Sequence, residues 1–263
     1  MGKLGASADI AVALAPRTQD YRLAAWSRAP RRLGYVYRRR YLSRLAAQFL
    51  LTEHCISEAD PRLADRHPER PVEHEVHQVL ALVSLAGGSQ CTDELLLRVS
   101  DDDVAFAKER VPDRAVCINL APRWFASDFG AGALRSLIER LASEQRDVLV
   151  TYGTDVADAA AQLRGAVLSP NVTWLGESPL LEWAAALARC SVVVTVDCGA
   201  THVAAAMRVP VVVVYEHQYY RLSSQEWSPW RVPSAILRKP PPGGAVTTLL
   251  DDVVSATRAL AAR

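Results

Sequence analysis

Residues 191–215, SVVVTVDCGATHVAAAMRVPVVVVY, decide the fold. Two β-branched runs, 191–196 and 209–215, flank a short alanine-rich segment. Neither run alternates apolar with polar residues, as strands of a parallel sheet covered on both faces do not. The order is therefore buried strand, tight loop, short helix, buried strand. The loop Asp197-Cys198-Gly199-Ala200-Thr201-His202 follows the carboxyl end of a central strand, where open α/β sheets bind ligands. Gly199 is expected to permit a left-handed turn and close backbone approach. Thr201 and His202 sit near a helix N-terminus, whose free N–H groups favour an anion such as phosphate. The plainer account makes Asp197 an N-cap, Gly199 a turn residue and His202 a packed helix residue.

The alternation extends outward from this stretch. Strands are expected at 115–120, 147–152 and 172–175, with helices at 131–143, 155–163 and 180–188. A Pro- and Gly-rich linker at 240–244 leads into a terminal helix, 247–262. This β-α-β-α order is that of a doubly wound parallel sheet. Upstream of a boundary placed at 108–114 the pattern is sparser. It reads as strand 9–14, helix 19–27, strand 33–36, helix 41–51, polar loop 57–71 and helix 73–86, stopped by Gly87-Gly88. An edge strand at 95–99 then precedes a helix capped by Ser100, with Asp101, Asp102 and Asp103 at its positive end. Two domains result, 1–110 and 111–263. The first has too few strands for a complete doubly wound sheet, and its opening strand would present an unpaired apolar edge.

With 263 residues, half of them hydrophobic, and a net charge of +1, the chain fits a globular protein with no strong electrostatic pull toward nucleic acid. No apolar run reaches the roughly 18 residues of a membrane helix. The opening residues contain Asp9 and no long apolar region, so they do not read as a signal peptide. Cys55, Cys91, Cys117, Cys190 and Cys198 are scattered and form no C-x-x-C pair, which points to reduced thiols and a cytoplasmic protein. Phosphate-loop, dinucleotide and nucleophile-elbow motifs are absent from the sequence. His74 and His77 have i,i+3 helical spacing but no third ligand nearby in sequence, and Glu53-His54-Cys55 lacks finger spacing. The arginines between Arg28 and Arg44 suit an anionic surface, such as a membrane, as well as a solvated helix face. Asp155, after Gly153, suits either a ribose hydroxyl or a helix N-cap, the latter slightly favoured.

Asp197-Cys198-Gly199-Ala200-Thr201-His202-Val203-Ala204-Ala205-Ala206 resembles the D-[TS]-G-x-x-H-[LI]-A-A-A signature of family 9 glycosyltransferases, the ADP-heptose:lipopolysaccharide heptosyltransferases and their relatives. Leu175-Gly176-Glu177-Ser178-Pro179-Leu180 resembles the segment leading into that family's donor pocket. Ala29-Pro30-Arg31-Arg32-Leu33-Gly34-Tyr35 and the helix from His74 to Gly88 resemble stretches of its first domain. The resemblance implies an α/β, GT-B-like fold of two Rossmann-like domains facing across a cleft. It implies a donor site containing Asp197, Cys198, Gly199, Thr201, His202 and Ser178, to which position in the sequence adds Arg123, Gly153 and Asp155, and acceptor-side residues Arg32 and His74. The implied reaction is a metal-independent inverting displacement that transfers heptose or a related sugar to a lipopolysaccharide-core or other glycan acceptor. The nucleotide sugar, with ADP-heptose the first candidate, is a substrate, and no cofactor is implied. Localisation is expected to be cytoplasmic, with peripheral contact at the inner membrane.

Departures from the family pattern are equally specific. The strand at 9–14 matches a later strand of the family's first domain, so the chain reads as N-terminally shortened. The loop that carries the family's catalytic carboxylate has no counterpart, and no residue inherits that role. Ser127-Asp128-Phe129-Gly130 replaces a Lys-aromatic-Pro loop, leaving Arg123 as the nearest cation. Cys198 replaces a hydroxyl and is the weaker donor. Glu216 follows the last valine strand and would oppose a diphosphate unless it points away. Trp227 and Trp230, beside Pro229, are candidates for a loop over the donor, with packing under a loop the default. A non-catalytic nucleotide-sugar-binding relative is the alternative these departures support.

Overall fold

The computed structural model describes residues 8–38, 40–57, 71–126, 129–144 and 146–262. The chain forms two compact units: Met1–Asp93 with Arg221–Trp227, and Glu94–Tyr220 with Ser228–Arg263. The expected boundary at 108–114 thus falls inside the second unit.

In the first unit, β1 (Ile10–Ala13), β2 (Arg31–Tyr37) and β3 (Glu53–Ser57) form a parallel sheet in that order. Helices α1 (Thr18–Trp26) and α2 (Tyr41–Leu50) supply Tyr21, Ala24 and Ala47 to a small core with Ala13, Val36 and Leu51. On the alternate residues of β2, Tyr35 and Tyr37 pack with Leu82 of α3 (Glu75–Leu85) and with Leu222 of the returning segment. Gly34 lets β2 pack closely, because a Cβ there would stand 2.8 Å from Leu51 Cδ1 and 3.3 Å from Ala13 Cβ. The helix expected at 73–86 ends as anticipated at Gly87, in the left-handed region at φ +92°. β3 was not expected, since its polar EHCIS sequence carries no strand pattern. The loop expected at 57–71 lies almost wholly outside the described residues.

The second unit holds β4 (Val116–Asn119), β5 (Val148–Thr151), β6 (Val172–Leu175), β7 (Val192–Val196), β8 (Val211–Tyr215) and β9 (Ser234–Arg238). Their order is β6-β5-β4-β7-β8-β9, all parallel. The helices are α4 (Asp101–Arg110), α5 (Pro122–Phe125), α6 (Gly130–Ala142), α7 (Ala157–Ala166), α8 (Leu180–Ala188), α9 (Gly199–Ala206), α10 (Tyr220–Glu226) and α11 (Val246–Ala261). From residue 221 onward α10 belongs to the first unit. Alternate valines of β7 and β8 enter different cores. Val192, Val194, Val212 and Val214 meet residues of α6, α7 and α11, while Val193, Val211 and Val213 meet residues of α4, α8 and α9. An unbroken valine run is therefore the expected sequence for these strands. From β4 the chain winds outward through β5 to β6, then returns to β7 and winds the other way. The winding reverses between β4 and β7, which places the switch point of the sheet there.

Two expectations are corrected here. Residues 95–99 form no strand. Leu95, Leu97 and Val99 are indeed half-buried while Leu96 and Arg98 are exposed, but the segment has no ladder partner. Period two reports extended backbone, not pairing. The boundary moves upstream because α4 packs on α8, and Arg189 Nε donates to the Val111 carbonyl at 3.0 Å. The start of α4 is as expected: Ser100 and Asp103 form a reciprocal capping box.

Candidate functional site

At the switch point the carboxyl ends of β4, β5 and β7 and the start of α9 surround a pocket of about 280 Å³. Asn119, Tyr152, Gly153, Asp155, Gly176, Glu177, Ser178, Trp183, Cys198, Gly199 and Ala200 contribute to its lining. The floor is ordered by a buried polar hub. Asn119 Oδ1 accepts from Thr151 Oγ1 at 3.0 Å, while Nδ2 donates to Thr195 Oγ1 at 3.3 Å and to Cys198 Sγ at 3.6 Å. Trp124 Nε1 donates to the Asn119 carbonyl at 2.8 Å. One side chain thus ties β4 to β5, to β7 and to the loop before α9. Burial holds the Cys198 thiol above its usual pKa, so it stays neutral at the mouth of the site.

Gly199 is the first residue of α9. It is not left-handed, contrary to expectation, and a Cβ added there would meet nothing within 4 Å. Its missing side chain keeps space open in front of the helix N-terminus, where the first N–H groups have no partner within the helix. Gly176 makes room for Tyr152, whose hydroxyl would lie 3.3 Å from a Cβ there. Tyr152 in turn packs edge-on against Trp174, with ring centroids 6.5 Å apart. Ser178 Oγ is buried and has no hydrogen-bond partner. Among the described residues, two carboxylates, Asp155 and Glu177, and no cation belong to the lining.

Beside the pocket, Arg123 reaches from α5 to Asp197, pairing with its carboxylate and donating to its carbonyl at 2.7 Å. Burial nevertheless raises the Asp197 carboxyl above its ordinary value, opposed by Arg123. Lys239, 3% exposed, pairs with Glu216 at 2.7 Å and also donates to the carbonyls of Arg123 and Ala126. Glu216 is therefore neutralised within the protein, and Lys239 locks the turn that carries Arg123. Burial lowers the His202 pKa against the pull of Asp197, so its imidazole is neutral at neutral pH.

Of the expected donor residues, Cys198, Gly199, Gly153, Asp155 and Ser178 come together in the lining. Asp197, Arg123, Thr201 and His202 do not line it. Asp197 is not the N-cap of α9 either; Cys198 occupies that position, and Asp197 turns to Arg123. Thr201 is 1% exposed and its hydroxyl donates to the Val196 carbonyl at 3.4 Å, fixing the helix to the end of β7. Asp155 caps neither the turn at Thr154–Val156 nor α7; Gly153 and Val156 hold those N-cap positions, without side-chain caps. Ser127 and Asp128 lie outside the described residues.

The two acceptor-side residues serve the framework. Arg32 donates to the carbonyls of Leu50 at 2.9 Å and Ala29 at 2.9 Å, which engages its guanidinium in holding β2 to the end of α2. His74 caps α3, its Nδ1 accepting from Val76 N–H at 3.1 Å. No group of three or more potential metal ligands occurs among the described residues. Trp227 belongs to the first unit, and neither it nor Trp230 lines the pocket. Sequence reading missed Asn119, Tyr152, Trp183 and Lys239. Only Asn119 carried a signal, a polar residue closing an apolar strand at a carboxyl end.

The family model of glycosyltransferase family 9 (heptosyltransferase) matches residues 59–240. No curated protein sequence matches the chain. Among solved structures, the glycosyl transferase family 9 protein from Veillonella parvula DSM 2008 superposes with a TM-score of 0.70 at 16% identity, covering 98% of this chain and 74% of that one. The E. coli ADP-heptose lipopolysaccharide heptosyltransferase II gives 0.65 at 18% identity, covering 95% and 77%. E. coli heptosyltransferase WaaC, solved with ADP, gives 0.60 at 17% identity, covering 94% and 73%. The likeness shows a GT-B-like fold, with two parallel sheets of Rossmann-like type.

Proposed function

Because the chain belongs to glycosyltransferase family 9, we propose that it takes a sugar from a nucleoside diphosphate donor held at the switch point of its second unit. The carrying observation is the composition of the pocket. Its volume is near the small end of ligand pockets, roughly 300–1,000 Å³. It offers aromatic walls in Tyr152 and Trp183, carboxylates in Asp155 and Glu177, and the unpartnered Ser178 hydroxyl. That set suits a base and ribose hydroxyls, which donate to carboxylates, better than it suits a phosphate. The diphosphate belongs at the open edge of the pocket, before Gly199 and Ala200 of α9, where helix amides favour an anion. WaaC was solved with ADP, which supports a nucleotide of that type.

In the reaction, an acceptor hydroxyl attacks the anomeric carbon, the bond to the diphosphate oxygen breaks, and the hydroxyl proton passes to solvent water, because no residue of this sequence inherits the role of the family's carboxylate base. The nucleoside diphosphate leaves with inversion. Heptose is the first candidate sugar and a lipopolysaccharide-core glycan the first candidate acceptor. The nucleotide sugar is consumed as substrate, and the reading requires no cofactor. Among the described residues no helix is long and apolar enough to cross a membrane. A glycan acceptor built on lipid would be met by peripheral contact.

A second reading, binding without transfer, draws on one observation: Arg123, the cation that the sequence assigns to the diphosphate, is engaged by Asp197. Incubation with ADP-heptose and a deep-rough core acceptor separates the two. Sugar appearing on the acceptor supports transfer. Calorimetric binding of the nucleotide sugar without transfer supports the second reading, and no binding of any nucleoside diphosphate contradicts both.

A further inference from the structure

Two carboxylates lie close together inside the first unit, and each is held by neutral donors. Glu226 is fully buried on the segment 221–227, which returns to this unit after the chain has left it at Asp93. Glu75 starts α3, one helical turn before Gln78. Tyr35 donates to Glu75 Oε1 at 2.8 Å, and Trp227 of the returning segment donates to the same carboxylate. Tyr37 and Gln78 donate to Glu226 Oε1 at 3.1 and 3.0 Å. A surplus of acceptors remains. Glu75 Oε2, Gln78 Oε1 and Glu226 Oε2 are buried and have no hydrogen-bond partner. Buried acceptors without a donor are costly, and both tyrosine hydroxyls are already engaged. One added proton changes the count: it turns one orphaned oxygen into a donor, which then satisfies a second.

We propose that Glu75 and Glu226 hold one proton between them as a clasp, and that its loss to water frees residues 221–227 from the first unit. Two carboxylates in one poorly solvated site titrate as a pair, since the first charge opposes the second. Glu226 faces Tyr35 and Tyr37 from β2, Glu75 and Gln78 from α3, and Arg40 from beyond the end of β2. Burial, with Glu75, puts the Glu226 carboxyl at about 7, against the Gln78 and Tyr37 hydrogen bonds and the charge of Arg40. Burial also holds Glu75 above its usual value, against the hydrogen bonds from Tyr35 and Trp227. Burial raises Tyr35 and Tyr37 as well, so both stay protonated. The clasped state binds the proton more tightly than the released one. Clasping is therefore favoured at low pH and weakens as pH rises from about 4.5 to about 7. A proton is preferred to a metal ion because no group of three or more metal-ligating His, Cys, Asp or Glu side chains occurs among the described residues.

Hydrogen exchange of the full chain across pH, corrected for intrinsic rates, tests the clasp. In the wild type the opening equilibrium at the amides of 222–227 should rise about tenfold from pH 6 to pH 8, with those of β7 and β8 unchanged. Glu226→Gln carries its own donor and should abolish the rise. Glu75→Gln removes the like charge and should move its midpoint to lower pH. In the infrared spectrum, a protonated-carboxyl band should fade over the same range, and that change should be missing from the Glu75→Gln/Glu226→Gln double variant. The wild-type titrations need no variant, so a variant that fails to fold leaves the test intact. Exchange at 222–227 that stays flat with pH in the wild type would overturn the proposal, as would an unchanged rise in Glu226→Gln. Clasping at pH 8 restored by added sodium or magnesium would assign the orphaned oxygens to a cation instead. Nucleotide affinity should stay constant in every variant, which separates the clasp from the transferase reading.

Discussion

The two units are built from the same strand-helix-strand unit and differ in where that unit stops. In the first, three strands wind in one direction, and β1 keeps Ile10 and Val12 exposed at its edge. In the second, six strands wind outward both ways from β4 and β7, and both faces of β7 and β8 are buried. Among the described residues the reversal of winding therefore lies in the second unit, and the pocket sits there. A sheet that winds one way offers no such crevice among its own elements. The polar groups differ as well. In the second unit, Asn119 and Ser178 are gathered at the carboxyl ends of strands. In the first, Glu226 is fully buried against Tyr37 and Gln78, which donate to its Oε1 at 3.1 and 3.0 Å, while its Oε2 has no partner. One arrangement is open to a ligand; the other holds a returning segment in place.

Four substitutions test this contrast. Gly199→Phe fills the space in front of α9 without backbone strain. It should weaken nucleotide affinity at least about a hundredfold, near 3 kcal/mol, in a calorimetric titration, with the melting temperature unchanged. Lys239→Met leaves Glu216 partly buried and unpaired and frees the turn carrying Arg123. A loss of about 2 kcal/mol is expected in denaturant titration, largely restored by adding Glu216→Gln. If the single and double variants are equally unstable, the ion pair is not what holds that turn.

Glu226→Gln acts on the first unit alone. Burial pushes the Glu226 carboxyl up to about 7, helped by nearby Glu75 and opposed by the Gln78 and Tyr37 hydrogen bonds. A carboxyl raised in the folded state binds its proton more tightly there than in the unfolded chain. Its contribution is full below about pH 4.5 and is lost as pH rises through about 7. The variant should thus be more stable than wild type at pH 8 by about 2 kcal/mol, and the difference should shrink toward pH 5. Nucleotide binding should not change. The smallest effect is expected for Ser178→Ala, about fivefold in nucleotide affinity, because one hydrogen bond to a ligand is lost. Unchanged affinity would remove Ser178 from the site.

The sequence showed the second unit more clearly than the first, for a physical reason. Strands buried on both faces need apolar runs, so β4, β5, β7 and β8 were readable to within one or two residues. β9 was missed because SAILR is half-exposed at a sheet edge, and β3 because its residues are polar. The extended segment at 95–99 shows the converse, with the alternation of a strand and no ladder. In the site, Cys198 and Gly199 were legible because loop and helix start were fixed by the flanking valines. Tyr152, Trp183 and Lys239 were not, since they are ordinary residues until the sheet gathers positions far apart in sequence. Thr201 and Arg32 had the right chemistry for ligands, but backbone carbonyls nearby took their donors.

Hydrogen exchange of the wild-type chain, with and without saturating ADP, tests most directly whether the switch point of the second sheet is the nucleotide site. Slower exchange is predicted at the amides of 153–156, 176–178 and 199–201, with no change in β1, β2 or β3. Protection confined to the first unit, or none anywhere at saturating ADP, would contradict it.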